Sequence, residues 1–180
     1  MKRSKAHVEE NRRAILDAAG RLYRQRGFDA VTVAEVMQAA GLTHGAFYGY
    51  FASKEDLIAA TVADLASRTR ARAPWGESVA RYLTSKHRDD RLGGCPVAAL
   101  GPESVRQSAQ TRAAMTQAIR AMVERLAASA PGDSEAERRG AAVEACAAMV
   151  GALILSRAVD DPALADELLA STRQRLTTGC

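Results

Sequence analysis

The sequence predicts an all-α protein, and three observations support this. Hydrophobic residues make up 47% of the chain, which is ample for a core, while aromatic residues make up only 4%. Alanine is abundant and runs of β-branched residues are few, a composition that favours helices over strands. Apolar residues recur at helical spacing between breaks marked by Gly and Pro. A chain of 180 residues suffices for one domain, or for a small domain joined to a larger one.

Charge is distributed unevenly along the chain. The formal net charge is +4, yet residues 1–26 carry eight Lys or Arg against three acids, and residues 127–180 carry five against eight. A basic first part and an acidic last part suit a protein that places one end on a polyanion. Residues 1–26 lack the apolar run of a secretion signal, and the apolar run 145–155 is too short to span a membrane. We expect a cytoplasmic protein that does not enter a membrane.

The three cysteines indicate neither a disulfide framework nor a metal site. Their number is odd, and no His, Cys or acidic residues stand at metal-ligand spacing around them. No glycine-rich cofactor loop is found either. The sequence therefore predicts no metal and no other cofactor.

The first helix is predicted over residues 8–26. Gly27 ends it, and Phe28 is expected to be buried beneath the elements that follow. The helix carries one apolar stripe at helical spacing, formed by Ile15, Ala18, Ala19, Leu22 and Tyr23.

The stretch from residue 32 to residue 57 predicts two short helices, a tight turn and the start of a third helix. Thr32 and Glu35 form the pattern of a capping box, which begins a helix. Gly41 stands where a helix C-terminus favours positive φ, and Thr43 is placed to cap a short helix over residues 44–50. Ser53 with Asp56 repeats the capping-box pattern and begins the third helix. Two helices joined by a short turn containing Gly form a helix-turn-helix.

A helix-turn-helix places the start of its second helix in the DNA major groove. Here that start is nearly flat, so the backbone can approach base edges closely. We predict that the groove is read by His44, Gly45, Ala46 and Tyr48. Contacts to the phosphate backbone, which position the protein without reading sequence, are predicted for Thr32, Thr43, Tyr50 and Lys54. An ordinary helical hairpin with exposed tyrosines would show the same spacing and is the alternative.

These residues resemble a known family. The matching pieces are A-x-x-L-Y-x-x-R-G-F-D-A-V-T-V-x-x-V, A-G-L-T-H-G-A-F-Y-G-Y-F and S-K-E-D-L, which lie within about residues 9–58. They closely resemble the DNA-binding domain of the tetracycline-repressor (TetR) family of bacterial regulators. The resemblance implies an N-terminal three-helix DNA-binding domain, residues 1–52, and a C-terminal helical bundle, residues 53–180, for effector sensing and dimerisation. It also implies that the helix after Ser53 transmits the effector state to the DNA-binding domain.

The C-terminal part is predicted to be a series of helices. Their expected ranges are 53–73, 74–91, a segment that Pro96 opens and that resumes through residue 126, 137–159 and 163–176. The helix over 137–159 is crowded with small residues and carries more apolar surface than one buried stripe needs. We predict that the last two helices pair with their copies in a second chain as a twofold homodimer. The alternative is that the same surface closes the core of the monomer.

Cys95, in the segment GGCPVAAL, is the candidate effector-sensing residue. Pro96 suits the first position of a helix, so the Cys95 thiol would lie near unpaired N–H groups and the positive end of the helix dipole. Both stabilise a thiolate, and His87, Arg88 and Arg91 are expected to add positive potential. The segment is similar to the Gly-Cys pair of electrophile-responsive TetR-type regulators. The alternative is a small buried residue in a tight turn, as we expect for Cys146.

The sequence thus predicts a regulator of transcription and not an enzyme. A homodimeric repressor would bind a palindromic operator on double-stranded DNA, and a small-molecule or thiol-reactive effector would release it. Two other classes compete with this interpretation. One is a thiol-dependent enzyme built on Cys95, and the other is a helical interaction module without a role on DNA.

Overall fold

A computed structural model describes residues 5–68 and 73–178, and every regular element within these ranges is a helix. The all-α prediction is therefore confirmed for the described part of the chain. The helices are α1 (Lys5–Arg26), α2 (Val33–Ala39), a 3₁₀ helix (His44–Gly49), α3 (Lys54–Ser67), α4 (Trp75–Tyr82), α5 (Ser85–Asp89), α6 (Pro96–Ser104), α7 (Ala109–Ala127), α8 (Glu135–Ala158) and α9 (Pro162–Thr178).

The chain divides into two compact units. The first falls within Met1–Arg68 and Leu100–Ala118, and the second within Thr69–Ala99 and Ile119–Cys180. Helices α6 and α7 each contribute residues to both units. These units are defined by packing alone, so the domain boundary expected after residue 52 stays a prediction.

In the first unit α1 packs against both α2 and α3, and α2 packs against the 3₁₀ helix. The α1 stripe is buried as predicted, although Leu22 is only half-buried. Phe28 is fully buried, and its ring meets the edge of Tyr23 at a centroid distance of 5.3 Å. Gly27 and Gly41 both have positive φ, 81° and 72°, which ends α1 and α2 in the way that the sequence predicted.

Three local details of the helix-turn-helix differ from prediction. The second helix is a short 3₁₀ helix, and Thr43 precedes it without a capping hydrogen bond from its side chain. At α3 the Ser53 hydroxyl accepts from the Asp56 N–H at 3.1 Å, but the Asp56 carboxylate accepts from Ala52 and not from Ser53. The Thr32–Glu35 capping box of α2 is confirmed with both of its hydrogen bonds.

The second unit has a core in which α8 packs against α9 and α5, and α4 packs against α9. Its buried residues are Val79, Leu83, Met122, Val123, Leu126, Ala130, Ala142, Ala145, Cys146, Met149, Ala152 and Leu169. Cys146 is buried, as expected. A capping box at Ser134 begins α8.

Several predicted helix bounds of the C-terminal part change. The single helix expected over 74–91 is two helices, because the chain breaks at Leu83 and the Thr84 hydroxyl caps α5. Helix α3 ends at Ser67, and residues 69–72 of its predicted extension lie outside the described residues. Helix α8 as a whole is long and apolar enough to cross a membrane by length and composition, although core helices of soluble proteins pass the same test.

Candidate nucleic-acid interface

The leading edge of the 3₁₀ helix is open to solvent while its other side is part of the core. Thr43, His44 and Gly45 are exposed, and Tyr48 keeps 73% of its surface accessible. Phe47, from the same turn, is 1% exposed. A side chain at Gly45 would have no neighbour within 4 Å, so the backbone there is free to approach another molecule. Ala46 is half-buried and lies beside this open edge.

A stack of aromatic rings holds the 3₁₀ helix in place. The rings of Phe47 and Phe51 are stacked with centroids 5.9 Å apart, and the Arg12 guanidinium lies 5.2 Å from the Phe51 centroid. The same Phe47 ring meets the edge of Tyr48 at 5.2 Å. Short 3₁₀ helices have weak backbone hydrogen bonding, so burial of these rings is what fixes the direction of the exposed edge.

Tyr50 and Lys54, predicted to contact phosphate, are both half-buried and already engaged within the first unit. The Tyr50 hydroxyl accepts a hydrogen bond from the Asn11 side chain at 2.9 Å, which ties the end of the 3₁₀ helix to α1. The Lys54 ammonium lies 3.5 Å from the Asp29 carbonyl oxygen. An ammonium has three N–H donors, so one contact with a carbonyl leaves Lys54 able to donate to a second acceptor.

Thr32 is exposed at the start of α2, and its hydroxyl belongs to the capping box. That hydroxyl donates to the Glu35 carboxylate at 2.8 Å and accepts from the Glu35 N–H at 3.2 Å. Arg26 forms an ion pair with the same carboxylate at 2.7 Å. Hydrogen bonds from the Thr32 backbone, from Arg26 and from the Thr32 hydroxyl lower the pKa of Glu35 to about 2. Glu35 is thus ionised at neutral pH and fixes the position of Thr32.

The structure therefore brings all eight predicted DNA-binding residues into one compact unit. Sequence reasoning missed Asn11 and Arg12, which hold Tyr50 and Phe51 from α1. An Asn and an Arg on the polar side of a helix carry no signal of such a contact, because the partner lies 39 residues away in the case of Asn11.

Comparisons with known proteins settle the family of this helix-turn-helix. Residues 15–61 match the family model described as bacterial regulatory proteins, tetR family. The stretch over residues 15–61 belongs to the tetR family. Its similarity to the transcriptional regulator AcrR of Shigella flexneri is 40% identity over 57 residues, which cover 32% of this chain and 26% of AcrR. Its similarity to the repressor BepR of Brucella suis is 38% over 87 residues, which cover 48% of this chain and 39% of BepR.

The matched stretches thus span about a quarter to two-fifths of these curated tetR-type relatives. Solved structures cover far more of the chain at lower identity. Reduced NemR from E. coli superposes with a TM-score of 0.72 at 20% identity, covering 93% of this chain and 95% of NemR. A tetR-family regulator from Cytophaga hutchinsonii superposes with a TM-score of 0.75 at 20% identity, covering 99% of this chain and 98% of that one. Similarity at this level shows that the tetR-type fold extends over the C-terminal helices.

Cys95, the candidate effector-sensing residue, lies in the second unit immediately before α6 and is half-buried. Its backbone N–H donates to Nε2 of His87 at 3.0 Å, and Nδ1 of His87 lies 2.7 Å from the Tyr82 carbonyl oxygen. A carbonyl can only accept and an N–H can only donate. These two bonds therefore require a neutral His87 ring with its proton on Nδ1.

This tautomer corrects the expected surroundings of Cys95. A neutral His87 supplies no positive charge to the thiol, and its Nε2 lone pair is occupied, so it does not act as a base toward Cys95. Arg88 is held by Asp89 at 2.9 Å and by Asp166 at 2.6 Å. The cation that interacts with both the Cys95 and Cys146 thiols is Arg125, a half-buried residue that sequence reasoning did not identify.

The Tyr82 hydroxyl is the other polar group beside Cys95. It is buried and forms no hydrogen bond of good geometry with another described residue. Burial raises the pKa of Tyr82, and the neighbouring Cys95 thiol raises it further. A neutral phenol, a half-buried arginine and a half-buried thiol thus line one part of the second unit. No cluster of three or more metal-ligating side chains is found in the described part of the chain.

Proposed function

We propose that this tetR-family chain is a sequence-specific, DNA-binding repressor of transcription. The observation that carries the proposal is the two-sided 3₁₀ helix, with Phe47 buried and its neighbour Tyr48 exposed together with His44 and Gly45. A firmly anchored helix with an open, flat leading edge is what the major groove admits. A repressor of this kind would act in the cytoplasm, where bacterial DNA is found.

The roles of the exposed residues follow from their chemistry. His44 and Tyr48 offer side-chain donors and acceptors to base edges, while Gly45 and Ala46 allow the backbone to come close. Thr43, Tyr50 and Lys54 donate to phosphate oxygens on either side of the groove and set the register of the protein on the duplex. Thr32 joins them by turning its hydroxyl proton from the Glu35 carboxylate to a phosphate oxygen.

We further propose a twofold homodimer formed through α8 and α9. Large apolar residues of these helices stay exposed in the single chain, namely Val143 (48%), Leu155 (53%) and Leu164 (41%). Most of the apolar stretch of α8 is likewise not buried within the single chain. These residues do not close the core of the monomer, which supports pairing with a second copy. Two DNA-binding domains about 34–36 Å apart would read a palindromic operator.

The effector is proposed to act on the second unit, either as a small organic molecule or as a thiol-reactive compound at Cys95. Partial exposure admits a reagent to Cys95, and the half-buried Arg125 places a positive charge nearby. Effector binding would favour a conformation whose DNA-binding domains no longer fit the operator, so DNA would be released by population shift.

The test of the DNA role uses Tyr48→Ala and Lys54→Ala, alone and together, against an operator selected from random duplexes. We expect loss of specific binding in the double variant with helicity and oligomeric state unchanged. Lys86→Ala, which removes a positive charge from an exposed position of α5 in the second unit, is the matched control and should bind like wild type. Equal binding by the double variant and wild type would overturn the proposed reading surface.

The test of the effector site uses thiol alkylation of the wild type and of Cys95→Ser. Specific DNA binding that is lost on alkylation of wild type and retained in Cys95→Ser would support Cys95 as the switch. Binding that is insensitive to complete alkylation of Cys95 would refute that role and leave a non-covalent ligand as the effector.

A further inference from the structure

Three polar side chains, from the end of α6 to the first turn of α7, form hydrogen bonds with the helix-turn-helix and the loop before it. Glu103 lies near the end of α6, Gln107 in the connection and Gln110 in the first turn of α7. All three belong to the same compact unit as residues up to 68. They lie far outside the stretch that matches the tetR family model, residues 15–61. Their bonds to it span 54 to 78 residues of sequence.

Glu103 holds the loop between α1 and α2. Its carboxylate oxygen Oε2 accepts from the Phe28 backbone N–H at 2.8 Å. The carboxylate lies directly against Gly27, where an added Cβ would be 2.6 Å from that oxygen. Phe28 is fully buried, so its amide would have no acceptor from water if the carboxylate left. The absence of a side chain at Gly27 thus leaves room for the Glu103 carboxylate, and that carboxylate accepts the hydrogen bond of the buried Phe28 amide.

Gln107 and Gln110 hold two aspartates at opposite ends of the helix-turn-helix. The Gln107 side-chain amide donates to the Asp29 carboxylate at 3.1 Å. The backbone carbonyl oxygen of the same Asp29 lies 3.5 Å from the Lys54 ammonium. The Gln110 amide donates to one oxygen of Asp56 at 3.2 Å. The other Asp56 oxygen accepts from the Ala52 N–H at 3.1 Å, in the turn that follows the 3₁₀ helix. One segment therefore fixes both the loop before α2 and the turn after the 3₁₀ helix.

We propose that Glu103, Gln107 and Gln110 are positioning residues for DNA reading, which act through Phe28, Asp29 and Asp56. This inference rests on the proposed function of the helix-turn-helix. Base readout requires several contacts to form at once, so it depends on the position of the 3₁₀ helix to within a fraction of an ångström. Non-specific binding depends mainly on the number of phosphate contacts and tolerates small displacements. Loss of these hydrogen bonds should therefore weaken specific binding much more than non-specific binding.

The experiment compares full-length Glu103→Ala, Glu103→Gln, the double variant Gln107→Ala/Gln110→Ala, and wild type on a selected operator and on a scrambled duplex. Fluorescence anisotropy gives both affinities, and circular dichroism reports folding. Glu103→Ala and the double variant should each lose about tenfold in operator affinity, as expected for loss of hydrogen bonds to charged groups. Affinity for the scrambled duplex should change by less than about twofold.

Two controls separate positioning from general stability. The Glu103→Gln variant keeps a side-chain oxygen that can accept from the Phe28 amide, so it should retain most of the operator affinity. Glu124→Ala removes the same charge from an exposed position of α7 in the second unit and should match wild type. Hydrogen exchange on the whole chain adds a readout without DNA, because the Phe28 amide should exchange faster in Glu103→Ala than in Glu103→Gln.

The outcomes are distinct for the two claims. Wild type that prefers no sequence would contradict the proposed function and this inference with it. Wild type that is specific, with Glu103→Ala and the double variant equally specific, would refute the positioning role alone. If Glu103→Ala does not fold, the Gln107→Ala/Gln110→Ala variant tests the positioning role through the same ratio of operator affinity to scrambled-duplex affinity.

Discussion

Replacement of Gly27 by Ala probes how the end of α1 is matched to Glu103. Gly27 has a φ of 81°, a conformation that costs a residue with a Cβ about 1–2 kcal/mol. The added Cβ would also lie 2.6 Å from Oε2 of Glu103, so the carboxylate must move. That movement breaks its hydrogen bond with the buried Phe28 amide, which adds about 1–3 kcal/mol. We expect Gly27→Ala to lower the free energy of unfolding by about 3 kcal/mol.

Gly41 provides the matched comparison. Its φ is 72°, but a Cβ there would meet nothing within 4 Å. Gly41→Ala should therefore show only the conformational cost of about 1–2 kcal/mol. In a Glu103→Ala background the loss of unfolding free energy caused by Gly27→Ala should fall to the same range, because the carboxylate that the added Cβ would meet is absent. The two substitutions should thus be coupled by about 2 kcal/mol.

Urea unfolding followed by far-UV circular dichroism gives these free energies, at one protein concentration because a dimer would make stability depend on it. Equal destabilisation by Gly27→Ala and Gly41→Ala, or additivity of Gly27→Ala with Glu103→Ala, would show that the carboxylate does not occupy the place described. Glu103 would then not hold the Phe28 amide and could not act as a positioning residue.

Other predictions follow from burial and charge. Phe47→Ala should lower the free energy of unfolding by about 3–5 kcal/mol in urea titrations. Tyr48→Ala should lower it by at most about 1.5 kcal/mol, because it removes only the edge contact of an exposed ring with Phe47. Alkylation of the native protein, followed by peptide mass spectrometry, should label Cys95 well before Cys146, whose pKa is raised by burial. Glu35 has a pKa lowered from its ordinary 4.5 to about 2, so the stability that it contributes is complete above about pH 4.5 and is lost as pH falls through about 2. The wild-type advantage over Glu35→Gln in urea titrations should therefore shrink across that window, and an advantage independent of pH would contradict this assignment.

Local features of the fold could be predicted because they depend on residues close together in sequence. The capping box at Thr32 and Glu35 needs only residues three apart, and the positive φ of Gly27 and Gly41 follows from their place after helices. The break at Leu83 was missed because the apolar spacing runs on through residue 83, and only the Thr84 cap interrupts the helix.

The exposed residues of the candidate site could also be predicted, but the distant residues that hold them in position could not. The spacing of Phe47 and Tyr48 shows that they face different sides of a helix. The bonds from Asn11 to Tyr50 and from Glu103 to Phe28 join residues 39 and 75 apart, and no periodicity marks such pairs. The neutral state of His87 could not be predicted for the same reason, because it depends on the Tyr82 carbonyl and the Cys95 N–H together.

The most direct test of the central claim is the ratio of affinities for a selected duplex and for a scrambled duplex of equal length and charge. The duplex should come from repeated selection of a random library by the full-length protein, with the ratio measured at near-physiological salt. We predict an inverted repeat and a ratio of at least about 10³, which falls sharply in Tyr48→Ala. A ratio near one, with binding that depends only on salt, would contradict a sequence-reading role for the exposed edge of the 3₁₀ helix.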